Sequence, residues 1–309
     1  MRVDDRFRVG SITKAFVATV VLQLVGERKL TLEDTVDRWL PGAVPDGARI
    51  TLRQLLDHTS GLFDFAADAG FVAAAFRDPL RDWTPQEIVA IATAHPPYFA
   101  PGAGWAYSDT NYFVAGLIVE AATGHALASE LQRRIVGPLR LRRTRLDSGP
   151  RIAGRHAHGY FLRPLEDVTV GSPSVQWAAG ALVSTVDDVA RFFGALLGGR
   201  LLRADLLRAM RTTVPALLLG PGNEYGLGLQ KLPLACGSAW GHTGASPGYS
   251  VDALNRRHGT RQVVVAVNAT GALGAAGFFG APASAQSAIE RLIRRAYCRS
   301  AATRPGYAG

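Results

Sequence analysis

Hydrophobic positions change their spacing along the chain, and each change marks a different element. Phe7 and Val9 alternate with arginines, as the end of a half-buried strand does, and run directly into a nearly unbroken apolar stretch from Phe16 to Leu24. That stretch predicts a buried helix with Ser11 in its first turn. Leu30-Thr31-Leu32-Glu33-Asp34 reads as a capped helical turn closed by Trp39-Leu40-Pro41-Gly42, and Leu52 to Leu56 as a short amphipathic helix stopped at His58-Thr59-Ser60-Gly61. Further helical periods cover Thr84 to Ala94, Asn111 to Ala122 and Ala126 to Ile135, separated by proline- and glycine-rich loops.

Beyond Val214 the period shortens to that of strands. Tyr225 to Lys231, Ala239 to Thr243, Tyr249 to Asn255 and Arg261 to Asn268 are alternating or β-branched runs, with a hairpin turn at Arg256 to Thr260 around Gly259. Gly271 to Pro282 reads as a loop, and Ser284 to Cys298 as a last helix with Ile289, Leu292, Ile293 and Tyr297 on one stripe. An antiparallel sheet needs cover, and the first and last helices are the candidates. The expected fold is therefore α/β plus all-α: a sheet lobe from residues 1–29 and 200–309 flanked by helices, with a helical lobe, 30–199, inserted.

Composition narrows this picture only a little. With 309 residues, 48% of them hydrophobic, the chain can bury a large core. The formal charge of +9 comes from scattered arginines, without a lysine-rich run or interleaved aromatics, so it implies solubility or attraction to an acidic envelope rather than nucleic-acid binding. No stretch of eighteen apolar residues is present to span a membrane, and the charged start Met1-Arg2-Val3-Asp4-Asp5-Arg6 lacks the apolar core of a signal peptide. Two cysteines, Cys236 and Cys298, allow one disulfide; by themselves they read more readily as two buried thiols.

Candidate chemistry begins at Ser11 and Lys14. Residues three apart share a helix face with Cβ atoms about 5–6 Å apart, so the amine can reach the hydroxyl. A serine is a poor nucleophile until a base takes its proton, and a lysine among apolar walls can be neutral enough to do so. Unbonded N–H groups at the helix start add partial positive charge there. The bland alternative is a capping serine beside a solvated lysine. Two other stretches stand out: Trp105-Ala106-Tyr107-Ser108-Asp109-Thr110-Asn111-Tyr112, a polar-aromatic loop entering a helix, and Gly241-His242-Thr243-Gly244-Ala245 within the predicted sheet.

Taken in order, Ser11-Ile12-Thr13-Lys14, Tyr107-Ser108-Asp109 and His242-Thr243-Gly244 resemble the three-motif set of the serine D-alanyl-D-alanine carboxypeptidases, the class C β-lactamases and their esterase relatives. The connecting runs His58-Thr59-Ser60-Gly61-Leu62 and Tyr225-Gly226-Leu227-Gly228-Leu229 agree, and the likeness extends over nearly the whole chain. It implies a β-lactamase/transpeptidase-like fold and a hydrolase working through an acyl-serine. Ser11 would be the nucleophile, with Lys14 and Tyr107 handling its proton, and the N–H groups of Ser11 and Ala245 the oxyanion hole. His242 would support Tyr107 electrostatically, and Asp109, Trp177, Thr243, Gly244 and Gln230 would line the substrate. No cofactor or metal is implied. The substrate would be a small molecule or a peptidoglycan peptide, with β-lactams as acylating ligands. The resemblance also pairs Cys236 with Cys298, implying a secreted or extracytoplasmic location.

The departures matter as much. Asp109 stands where most of these relatives have asparagine, and an ionised aspartate can only accept hydrogen bonds. Where the carboxypeptidases hold a terminal carboxylate with threonine and arginine, this chain has Ala245 and Gln230; Lys231 is adjacent but faces the other way on a regular strand. That weakens a strict carboxypeptidase in favour of an esterase or amidase. Only ten residues precede Ser11, against a helix and about two strands in the relatives, so the sheet is expected to lack those partners and show an open edge. A late start would also account for the missing signal peptide. His156 and His158 read as an exposed loop pair rather than a metal site, and His58 as a residue bonding the loop backbone. A β-lactamase, an esterase and a non-catalytic penicillin- or peptidoglycan-binding sensor remain the rivals.

Overall fold

The apolar run after Ser11 becomes the helix Ile12–Gly26, in which Ile12 through Leu22 and Leu24 are all buried. A helix apolar on every side is stable only between other layers. In the computed structural model, which describes residues 1–162, 165–271 and 283–298, it is so placed. It packs against Thr110–Thr123, the short helix Trp177–Gly180 and the strand Gly237–Ser246. Phe16 stacks on Phe192 of the helix Val186–Leu197 with ring centroids 3.5 Å apart.

The sheet is antiparallel and six-stranded, running Gln262–Val267, Tyr249–Asn255, Gly237–Ser246, Gln230–Leu234, Glu224–Tyr225, Val214–Pro215 from one edge to the other. Register is read from pairs such as Ser250 opposite Ala245 and Lys231 opposite Trp240. Alternation along Gln262–Val267 sorts its side chains between two cores: Val264 and Ala266 join the one around the first helix, while Val263, Val265 and Val267 meet Ile289, Ile293 and Tyr297 of the last helix, Ala283–Cys298. A small sheet, Phe7–Arg8 beside Leu182–Ser184 beside Arg145–Leu146, carries the segment leading into Ser11. The architecture is the mixed α/β fold expected.

Several local expectations need adjustment. Tyr225 to Lys231 is not one strand: Gly226 N–H bonds back to Leu229 O at 2.7 Å, and Gly228 takes φ +71°. A Cβ on Gly228 would lie 2.6 Å from that of Ala18 and 3.0 Å from Lys14 O, so this turn can sit on the first helix only as glycine. The helix near residue 30 begins later, at Val36–Trp39, because the Asp34 carboxylate organises the preceding turn by accepting from Thr31 and Trp39. Leu292 leaves the predicted stripe and is 52% exposed; Ile289, Ile293 and Tyr297, spaced by four, are the buried set. The strand Gln262–Val267 ends the sheet among the described residues, with all six positions half-buried. The Gly271 to Pro282 loop lies, apart from Gly271, outside the described residues.

Cys236 and Cys298 form a disulfide with Cα atoms 5.5 Å apart, tying the last helix to the start of the Gly237–Ser246 strand across 62 residues of chain. The reading of two free thiols is thereby replaced by the pairing the resemblance implied. Replacing both cysteines with serine is expected to cost roughly 2–4 kcal/mol, the typical worth of a disulfide. Urea unfolding would read it as a lowered midpoint, and an unchanged midpoint would show that the bond constrains little.

Candidate active site

Ser11 caps the first helix with helical backbone angles, φ −62° and ψ −5°, and its side chain makes no capping bond, which leaves the hydroxyl for other work. One turn on, Lys14 is fully buried, its Nζ 2.8 Å from Ser11 Oγ, 2.9 Å from Ala179 O and 2.7 Å from Asp109 Oδ1. Burial pulls the amine below the usual lysine range, and the Asp109 charge opposes that pull. When Lys14 is neutral its two hydrogens match Ala179 O and Asp109, and its lone pair is then the group left to face Ser11 Oγ.

Tyr107 comes from the loop before Thr110–Thr123 and shares a hydrogen bond with Ser11. Lys14 Nζ lies 4.9 Å from the centre of its ring. Burial, and then the Asp109 charge, hold the phenol well above its ordinary range, so it rests protonated. The loop is held from beneath by His58, whose backbone is left-handed at φ +66°. Its Nδ1 accepts from Ser108 N–H at 3.2 Å and from Asn111 Nδ2 at 3.1 Å, and its ring lies 4.3 Å from that of Tyr107. The predicted backbone-bonding role of His58 is what its contacts show.

The strand Gly237–Ser246 closes the site by backbone contact. A Cβ on Gly10 would fall 2.3 Å from Ala245 O and 2.6 Å from Ala245 N, and one on Gly244 only 2.0 Å from Val9 O. Glycine at both positions lets the nucleophile segment touch the strand, which brings the Ala245 main chain beside Ser11; Gly10, at φ +51°, is also left-handed.

Other predicted residues have different settings. His242 is fully buried, its Nε2 2.7 Å from the Tyr225 hydroxyl, and its ring centroid is 6.5 Å from that of Tyr107. Burial, and then the Lys14 charge, push it down to about 3, so any electrostatic support it gives Tyr107 comes from a neutral imidazole. Gln230 takes the Thr243 N–H on its Oε1 at 3.0 Å, and Lys231 Nζ is 2.6 Å from Glu224. Trp177 is half-buried; it packs edge-on against Phe113 at 5.6 Å, and its ring lies over Gly116, where an added Cβ would come within 3.0 Å of it. His156 Nδ1 meets Gly154 O and His158 Nδ1 meets Asp167, away from Ser11.

Two residues escaped the sequence reading. Gln176 gives Nε2 to Ala245 O at 3.3 Å and takes the Ser246 hydroxyl on Oε1 at 2.7 Å, clamping the end of the strand to the helical region. Asp64, 4% exposed, accepts from Asp109 N–H at 3.1 Å. Burial and the Asp109 charge push its carboxyl up to about 8. Its place directly after His58-Thr59-Ser60-Gly61-Leu62-Phe63 was the available signal; only folding brings that turn against Asp109.

A buried lysine one turn from a serine, a phenol on the same hydroxyl and a strand backbone beside them define the acyl-serine class of site. The Beta-lactamase family model matches residues 1–288, and the chain belongs to that family. It is similar to Penicillin-binding protein 4* of Bacillus subtilis (strain 168), at 30% identity over 81% of this chain and 58% of that protein, so it spans less than two thirds of this relative. Among solved structures it is similar to a D-stereospecific amidohydrolase from Streptomyces sp., with TM-score 0.87 and 39% identity over 96% of this chain and 88% of that one. It is also similar to the D-amino acid amidase from Ochrobactrum anthropi SV3, with TM-score 0.80 and 30% identity over 96% and 88%.

Gly10→Ala is expected to separate Ser11 from Ala245 and lower turnover by about 100-fold or more, the loss typical of one oxyanion donor, with the fold retained by circular dichroism. A variant within threefold of wild type would mean that the contact does not shape the site. Asp64 gives a stability signature of definite sign. Its carboxyl is raised in the folded protein to about 8 from 3.8, so the stability it supplies is complete below pH 3.8 and is lost as pH rises towards 8. Asp64→Asn is therefore expected to gain on wild type between pH 5 and 8, by at most about 1.4 kcal/mol per pH unit, in urea titrations at both pH values. Parallel stability curves would show that Asp64 is ionised throughout.

Proposed function

We propose that this chain is a serine amidohydrolase that cleaves small amide or peptide substrates through an acyl-serine intermediate. The observation that carries the reading is the convergence of Ser11 Oγ, Lys14 Nζ and the Tyr107 hydroxyl on one point beside the Ala245 main chain. Ser11 Oγ attacks the carbonyl carbon and its proton passes to Lys14, directly or through Tyr107. The N–H groups of Ser11 and Ala245 take the charge that grows on the carbonyl oxygen, each worth roughly 3–4 kcal/mol in comparable sites. Tyr107 returns the proton to the leaving amine as the C–N bond breaks. Water then attacks the ester, giving up its proton along the same route, and Ser11 is regenerated; a β-lactam acylates the same oxygen.

Amidase or aminopeptidase chemistry is favoured over a D-alanyl-D-alanine carboxypeptidase. Gln230 carries no charge, Ala245 has no hydroxyl to offer and Lys231 is paired with Glu224, so the arginine and threonine expected to hold a terminal carboxylate have no equivalent at these positions. The likeness to D-specific amidases supports a substrate with a D centre. Thr243 and Gly244 would form one wall of the substrate channel and Asp109 the other, while the neutral His242 and Tyr225 hold the motif strand. The disulfide supports an oxidising, extracytoplasmic location. An esterase uses the same acyl chemistry, and a sensor would stop at the acyl-enzyme.

The test uses wild type, Ser11→Ala and Tyr107→Phe with a D-amino acid amide, a short aryl ester, a D-Ala-D-Ala peptide and a fluorescent penicillin. Expected are amide turnover by wild type, its loss in Ser11→Ala, and a fall of roughly 10²–10⁴-fold in Tyr107→Phe. Ester turnover alone would make it an esterase, and stable penicillin labelling without any turnover a sensor. A folded wild-type protein that neither labels nor turns over would overturn the acyl-serine reading.

A further inference from the structure

Asp109 does something in this site that an amide side chain there would not. It offers only acceptor oxygens, and it stands one residue beyond Lys14 in the chain of contacts that starts at Ser11 Oγ. Oδ1 is sealed from solvent against Lys14 Nζ, yet the side chain remains 18% exposed, so the exposed part is not the oxygen that Lys14 holds. Asp64 accepts the Asp109 N–H from behind and holds the residue in place. Among the described residues, Lys14 is the one cation paired with this carboxylate.

We propose that Asp109 is the specificity-determining residue of this site and that its outer oxygen reads a free α-ammonium on the acyl half of the substrate, so that preferred substrates are amides of amino acids with an unblocked amine. The inference rests on the acyl-serine reading of Ser11. The amine of such a substrate lies about 2.5 Å from the carbonyl carbon under attack, because only Cα separates them. Once that carbon is on Ser11, the ammonium is held on the side where Lys14 and Asp109 sit. A carboxylate can hold Lys14 on one oxygen and a second cation on the other. An N-acylated substrate offers one neutral N–H in place of the ammonium and brings a carbonyl oxygen beside a group that cannot donate, so it loses the charge pairing. Lys231, on the strand beside the Gly237–Ser246 strand, is already paired with Glu224.

The experiment compares D-alanine p-nitroanilide with its N-acetyl counterpart, and the matching pair of aryl esters, on wild type and on the isosteric Asp109→Asn. Calorimetry on Ser11→Ala then compares D-alaninamide with N-acetyl-D-alaninamide. Expected is a preference of wild type for the free amine of about tenfold or more in kcat/KM, with collapse or reversal of that preference in Asp109→Asn, which could donate to the acetyl carbonyl. Equal use of both substrates by wild type, or loss of both by the same factor in Asp109→Asn, overturns the proposal. If esters show the preference while anilides are inert, the ammonium reading holds and the amidase reading fails. If nothing turns over but Ser11→Ala binds the free amine selectively, the ammonium reading holds and the hydrolase reading fails; if it binds neither selectively and nothing turns over, both fall.

Discussion

The rest of the site depends on one amine buried where water cannot reach it. Lys14 has no exposure at all, so its state is set by the groups around it: Ala179 O, the Asp109 carboxylate and Ser11 Oγ, all within 2.9 Å. An uncompensated ammonium there would be too costly to keep, and a lysine with only apolar neighbours would have no orientation. Each partner comes from a different part of the fold. Lys14 and Ser11 share one helix, Ala179 belongs to the short helix Trp177–Gly180, and Asp109 caps Thr110–Thr123. These elements pack around the buried first helix largely in the arrangement that the amine requires.

The second constraint is one of space. Gly10 and Gly244 face backbone atoms at distances a side chain could not tolerate, and Gly228 presses on the first helix from the other side. The segment carrying Ser11 is thus held by main chain against main chain, which has few ways to relax. Gln176 adds a polar clamp from the helical region onto Ala245 and Ser246, so the strand that would supply an oxyanion donor is fixed at its end as well as along its length. Polar groups beneath Tyr107 are placed with the same economy. The left-handed backbone of His58 turns Nδ1 towards the Ser108 N–H, and the ring supports the phenol.

Much of this was legible in the residues. Nearly continuous apolar character from Phe16 to Leu24 can only be buried, and the stripe Ile289, Ile293, Tyr297 can only face a core, so both sheet covers followed from periodicity. Lys14 follows Ser11 by one helical turn, which is a local relation and needs no tertiary knowledge. The disulfide was left open by the residues and came with the family likeness. Trp177 shows the opposite case: its ring meets Phe113 and lies over Gly116, contacts between distant segments that no period reveals.

What the sequence by itself determined was the set of elements and the local pair of nucleophile and amine, because these depend on contacts a few residues apart. Which charges face that pair was decided only by the tertiary structure. Asp64 lies 45 residues from Asp109 and Gln176 lies 69 from Ala245, and no period or propensity joins them. The neutrality of His242 likewise comes from its complete burial beside Tyr225 and Lys14 and not from its neighbours in the chain. Electrostatic state is a property of surroundings assembled from distant segments, and it exists only once the chain has folded.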